Sequence, residues 1–182
     1  MRSVTPVRRT VLAALCIALC VVLPIAFHSI PNAGSVILPM HIPVLLCGMI
    51  CGWPYGFICG LLGPLVSSVL TSMPPAAYLP PMMVECATYG AATGLLLKFV
   101  RTRNLTADLY ISLIGAMLLG RVVSGVAKAL IFSPGMAMGM WITSSFVTAL
   151  PGIVIQLVLI PQVVRILMKA KSIPQRYTGV QK

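Results

Sequence analysis

Glu85, Arg121 and Lys128 sit well inside long apolar stretches of this 182-residue chain. An ionisable side chain at such depth is costly to keep away from water, so it is read first as functional. Arg121, Ser124 and Lys128 are spaced i, i+3, i+7, which places them on one face of a helix. Tyr89 lies one helical turn from Glu85 on its own face, and His41 opens a further apolar run. Together His41, Glu85, Tyr89, Arg121, Ser124 and Lys128 form a candidate substrate-binding set, a polar pocket near one membrane surface. A plainer reading is an ion pair from Glu85 to Arg121 or Lys128 that joins two helices, or Lys128 reaching to the interface. One acid cannot neutralise two cations. The surplus charge suits a ligand with an anionic or strongly accepting group, while Glu85 could meet a ligand amine or ring N–H. His41 alone reads more readily as an interfacial hydrogen-bonding residue than as a ligand contact. Trp141, Ser144 and Ser145 could extend the lining, Trp141 otherwise being an interfacial anchor.

Other chemistries find little support. Asp and Glu total two, and Glu85 and Asp108 fall in different segments, so no carboxylate pair is expected. The sequence lacks H-E-x-x-H, a phosphate-binding Walker loop and G-x-S-x-G. Cys16, Cys20, Cys47, Cys51, Cys59 and Cys86 all lie within apolar runs. The i,i+4 pairs among them do not suit disulfides on single helices, and neither His28 nor His41 completes a metal-ligand spacing. They read as small apolar fillers, with no metal site and no catalytic residue expected.

The elements that must position the polar set follow from composition. Hydrophobic residues make up 59% and charged residues 8%, with a net charge of +11. Soluble domains carry about 25% charged residues, so this chain could not cover a water-facing surface. The basic residues fill short gaps between apolar runs, unlike a nucleic-acid-binding face. A membrane span takes about 20 apolar residues, and six are expected, at about 11–27, 36–51, 55–70, 78–100, 109–132 and 141–168. They would form one all-α integral-membrane domain over 1–182. The first run ends in no clean cleavage site and is read as a retained helix.

All thirteen Lys and Arg except Arg121 and Lys128 fall before the first span, at or after the end of the fourth and before the fifth, or at or after the end of the sixth. The positive-inside rule makes those regions cytoplasmic, with both termini inside. The opposite gaps hold turn residues, as in Ser72-Met73-Pro74-Pro75 and Ser133-Pro134-Gly135, and read as a lid or as plain connectors. Gly48, Gly52, Gly56 and Gly60 recur every fourth residue, and Gly90 and Gly94 repeat the spacing. Such small residues suit close helix packing in lipid, though the run crosses Trp53-Pro54 and so is not one helical stripe. Ala14 and Ala18 form a similar step on the first helix, for internal packing or for docking of another membrane protein.

With these residues in view, the chain resembles the substrate-binding S components of energy-coupling factor (ECF) vitamin transporters over nearly its whole length. The likeness rests on size, six spans and Ala14-x-x-x-Ala18. It includes Pro39-Met40-His41-Ile42-Pro43-Val44-Leu45-Leu46, the glycine series that follows, and Pro64-Leu65-Val66-Ser67-Ser68. It extends to Glu85 through Gly94 and to Leu119-Gly120-Arg121-Val122-Val123-Ser124-Gly125. The resemblance implies binding of a small water-soluble vitamin or related micronutrient at the outer face. It further implies docking through Ala14 and Ala18 onto a transmembrane coupling subunit driven by two cytoplasmic ATPases. ATP and magnesium would serve those partners, with no cofactor in this chain, and the location would be a prokaryotic plasma membrane. The competing reading is a solitary proton-coupled secondary transporter in which Glu85 titrates.

Overall fold

The computed structural model describes residues 5–27, 33–132, 138–170 and 173. Among these, all regular structure is helical. The long helices are α1 (Pro6–Ala26), α4 (Trp53–Thr71), α5 (Leu79–Phe99), α6 (Leu105–Ala127) and α8 (Leu150–Lys169). Shorter helices are α2 (Ala33–Val36), α3 (His41–Cys51) and α7 (Met138–Ile142). Proline stands in the first turn of α1, α4, α5 and α8, where its missing N–H has no helical partner to lose and its fixed φ favours the helix. Asn104 starts α6 by accepting the Thr106 N–H at 3.1 Å, supplying an acceptor that the first helical turn lacks.

Five stretches are long and apolar enough to cross a membrane: Pro6–Ala26, Gly34–Cys51, Trp53–Thr71, Leu105–Phe132 and Leu150–Lys169. The expected segment at 78–100 forms as α5, 21 residues long, but it is not among the five. Pro80, Pro81, Glu85, Thr88, Tyr89 and Gly90 make its first half less apolar. Much of α5 is instead buried against α3, α4 and α6.

Two expected spans are interrupted. The one at 36–51 breaks after Val36, with Leu38 at φ 53°, and resumes at His41 as α3. That at 141–168 becomes α7, a π-helical turn (Thr143–Thr148) and α8, the break falling at Ala149 before Pro151. A second π-helical turn (Lys128–Phe132) continues α6.

Between α3 and α4, Gly52 adopts φ +94°, a region open to glycine at little cost, and the turn divides the glycine series. Gly48 and Gly56 both pack against the backbone of Gly90, Gly60 lies against the backbone of Cys86, and Gly94 lies against that of Trp53. In each case a Cβ would meet main chain, so these glycines permit the α3–α4–α5 crossings. This is the internal-packing role. In lipid such close approach stabilises helix pairs through van der Waals contact, because the solvent offers no hydrophobic drive.

The bundle has chemically distinct ends. Arg9 of α1, Gly52, Trp53 and Pro54 of the α3–α4 turn, and Lys98 at the end of α5 border one cavity of about 450 Å³. In the first turn of α6 Asp108, fully buried, accepts the Thr102 N–H at 2.8 Å and its hydroxyl at 2.7 Å. Arg165, near the end of α8, donates to the Thr106 hydroxyl at the start of α6. Glu85 lies about 20 Å away from Lys98 along α5, at 1.5 Å rise per residue.

Candidate functional site

Near the start of α5, Glu85 is the centre of a packed polar cluster. Its Oε1 accepts the Tyr89 hydroxyl at 2.9 Å, and its Oε2 accepts the Ser124 hydroxyl at 2.9 Å. Lys128 Nζ stands 3.7 Å from Oε2, and His41 Nε2 stands 3.7 Å from Oε1. The His41 ring meets Tyr89 edge-on with centroids 5.1 Å apart. Tyr89 comes from the same face of α5 one turn on, Ser124 and Lys128 from α6 and its π-helical extension, and His41 from the first residue of α3.

Local sequence explains the closeness. Gly120 of α6 faces the Tyr89 ring, where any Cβ would overlap it, and Gly125 faces the indole of Trp141 in the same way. The stretch Gly120-Arg121-Val122-Val123-Ser124-Gly125 therefore alternates clearances for aromatic rings with the polar side chains themselves. Lys128 begins one π-helical turn, and the other carries Phe146. Such wider turns are frequent at functional sites because they re-aim side chains out of the ordinary helical phase.

Arg121 is placed differently from its neighbours. It is 5% exposed and forms no ion pair with Glu85 among the described residues. Its guanidinium carbon lies 5.5 Å from the centre of the Phe146 ring, a cation–π arrangement. The same ring meets Trp141 edge-on at 5.9 Å. Arg121 Nε, Trp141 Nε1 and both ring nitrogens of His41 are buried with no hydrogen-bond partner among the described residues.

The structure thus brings all six polar residues of the sequence-derived set to one end of the bundle, and it pairs Glu85 with Lys128. His41 is buried, its side chain 4% exposed, where an interfacial position was expected. The side chains contact one another closely, and Lys128 keeps the most exposure, 27% against 12% for Glu85. Ser145 is buried, while Ser144 is exposed and donates to the Trp141 carbonyl at 3.1 Å. Phe146 was not anticipated. Its role depends on the phase shift of a π-helical turn, which residue spacing does not announce. Gln156, 1% exposed and donating to the Leu38 carbonyl at 3.5 Å, was also missed.

Ser67 and Ser68 donate to the Met73 and Pro74 carbonyls, each at 2.8 Å, tying the following loop back onto α4. The loop residues 28–32 and 133–137, with His28, lie outside the described residues. On α1, Ala14 and Ala18 are exposed while Ala13, Cys16 and Cys20 are buried, so the alanine step faces away from this chain's own core. All six cysteines are free and buried. Among the described residues no group of His, Cys, Asp and Glu could hold a metal ion.

An all-helical membrane protein in which an acid, Glu85, sits amid hydroxyls, a histidine and cations has the character of a polar-solute carrier. Residues 8–164 match the family described as ECF transporter, substrate-specific component. The chain belongs to that family, whose members bind the transported substrate within an ECF transporter and are not themselves enzymes. No curated protein and no solved structure matches it.

Proposed function

We propose that this chain captures a small water-soluble vitamin or related micronutrient at the end of the bundle that holds Glu85, and hands it across the plasma membrane of a prokaryote. The observation that carries this reading is the convergence of His41, Glu85, Tyr89, Arg121, Ser124 and Lys128, from three helical segments, at one end of the bundle. The basic end, with Arg9, Lys98 and Arg165, is assigned to the cytoplasm by the excess of cations there. The polar cluster then faces outward, and α5 serves as the sixth span, its polar first half shielded by α3, α4 and α6.

The chain carries no nucleotide-binding loop, so energy would come from a coupling subunit and two ATPases that consume ATP and magnesium. Ala14 and Ala18 offer the docking face. Both are exposed on a helix whose opposite side is buried, and small side chains let another helix approach closely.

A solitary proton-coupled carrier is less well supported. Glu85 already accepts two hydroxyl hydrogen bonds and lies beside Lys128, which favours a fixed carboxylate over one that gains and loses protons in each cycle. Uptake measured in cells expressing this chain with the ECF module separates the two. Accumulation of the substrate should stop when the ATPases are inactivated by mutation. Uptake that survives that change and collapses with the proton gradient would reject the proposed role.

A further inference from the structure

We propose that the substrate is a small organic monoanion, a carboxylate on an apolar or ring-bearing body, and that Arg121 is its anchor. This rests on the substrate-binding reading above and specifies the ligand class. The cluster holds one negative side chain, Glu85, and two cations, Arg121 and Lys128. Glu85 is spoken for: Tyr89 and Ser124 donate one hydrogen bond to each of its oxygens, and Lys128 supplies the nearby positive charge. Arg121 is left over, buried to 5% exposure with Nε unpartnered among the described residues.

The other unmet groups point the same way. Trp141 Nε1, a buried donor, and His41 Nδ1, a buried ring nitrogen, have no hydrogen-bond partner among the described residues. The carboxylate oxygens, in contrast, are engaged. The cluster's cations therefore exceed its acid by one, and donors on Arg121 and Trp141 lack acceptors among the described residues. A buried guanidinium whose Nε meets no acceptor among the described residues is costly, and a ligand carboxylate reduces that cost by accepting from it, often through two parallel N–H groups. A cationic ligand would add to the surplus. Phe146, which touches both the guanidinium and Trp141, gives the ligand body an aromatic wall beside the anchor. Glu85 acts as the internal counter-ion that positions Tyr89, Ser124 and Lys128.

The test uses the purified full chain in nanodiscs, with binding followed by calorimetry and thermal shift. The probes are matched pairs that differ in the acid group: nicotinate with nicotinamide, pantothenate with pantothenol, and biotin with biotinamide, plus thiamine as a cation. The expected result is that a carboxylate binds and its neutral partner binds at least about tenfold more weakly, the scale of one charge-assisted contact. Arg121→Gln should erase that difference, while Glu85→Gln should change the carboxylate's affinity less than Arg121→Gln does. Equal binding of both members of a pair, binding of thiamine alone, or discrimination that persists in Arg121→Gln would overturn the proposal and leave the substrate-binding reading standing. Binding of no probe to monodisperse protein would count against that reading itself and remove the proposal with it. The wild-type pair comparison is decisive even if a variant fails to fold.

Discussion

Ser124 donates its hydroxyl to Glu85 Oε2 at 2.9 Å, joining α6 to α5 across 39 residues of sequence. The same oxygen has Lys128 Nζ 3.7 Å away, so one carboxylate oxygen organises two positions on α6. Ser124→Ala should therefore lower stability by about 1 kcal/mol, the usual net worth of such a bond. Glu85→Gln should lower it further, because Lys128 then loses its counter-charge. Thermal unfolding in detergent measures both, and equal melting of Glu85→Gln and wild type would contradict this arrangement.

Glycine at 90 is set by the crossing of α4 and α5. Its Cβ position is occupied by the backbone of Gly56, which cannot move without shifting a whole helix. Gly90→Ala should cost about 1–3 kcal/mol through overpacking. Gly139→Ala provides the contrast, since among the described residues nothing lies within 4 Å of its Cβ position. Its melting temperature should match wild type.

Docking is predicted to depend on the exposed side of α1. Ala14→Trp and Ala18→Trp should reduce co-purification of the coupling subunit and ATPases while leaving substrate affinity unchanged. Val11→Trp, also on an exposed position, tests whether any bulky residue on the helix has the same effect. Normal assembly of both alanine variants would place the docking face elsewhere.

Much of this organisation could be read from periodicity. The spacing of Arg121, Ser124 and Lys128, and of Glu85 and Tyr89, follows from 3.6 residues per turn, and the structure places the two sets side by side. Which cation pairs with Glu85 could not be read, because the axial offset between α5 and α6 is set by clearances at Gly120 and Gly125 for rings from other segments. The burial of His41 was hidden for a similar reason. It depends on the reversal at Leu38, a non-glycine residue at positive φ that no turn signature marks. Apolar length also overstated the regularity of the last span, since a π-helical turn and Pro151 divide a run that hydropathy reads as continuous.

The central claim is that substrate binds at the Glu85–Arg121 end and not in the cavity bordered by Arg9 and Lys98. Native mass spectrometry of the purified chain, looking for a retained small molecule, tests it most directly. The account predicts a ligand on the wild-type protein that is lost in Arg121→Ala and kept when Arg9 and Lys98 are both changed to Ala. A ligand kept in Arg121→Ala and lost in the Arg9, Lys98 double variant would contradict it.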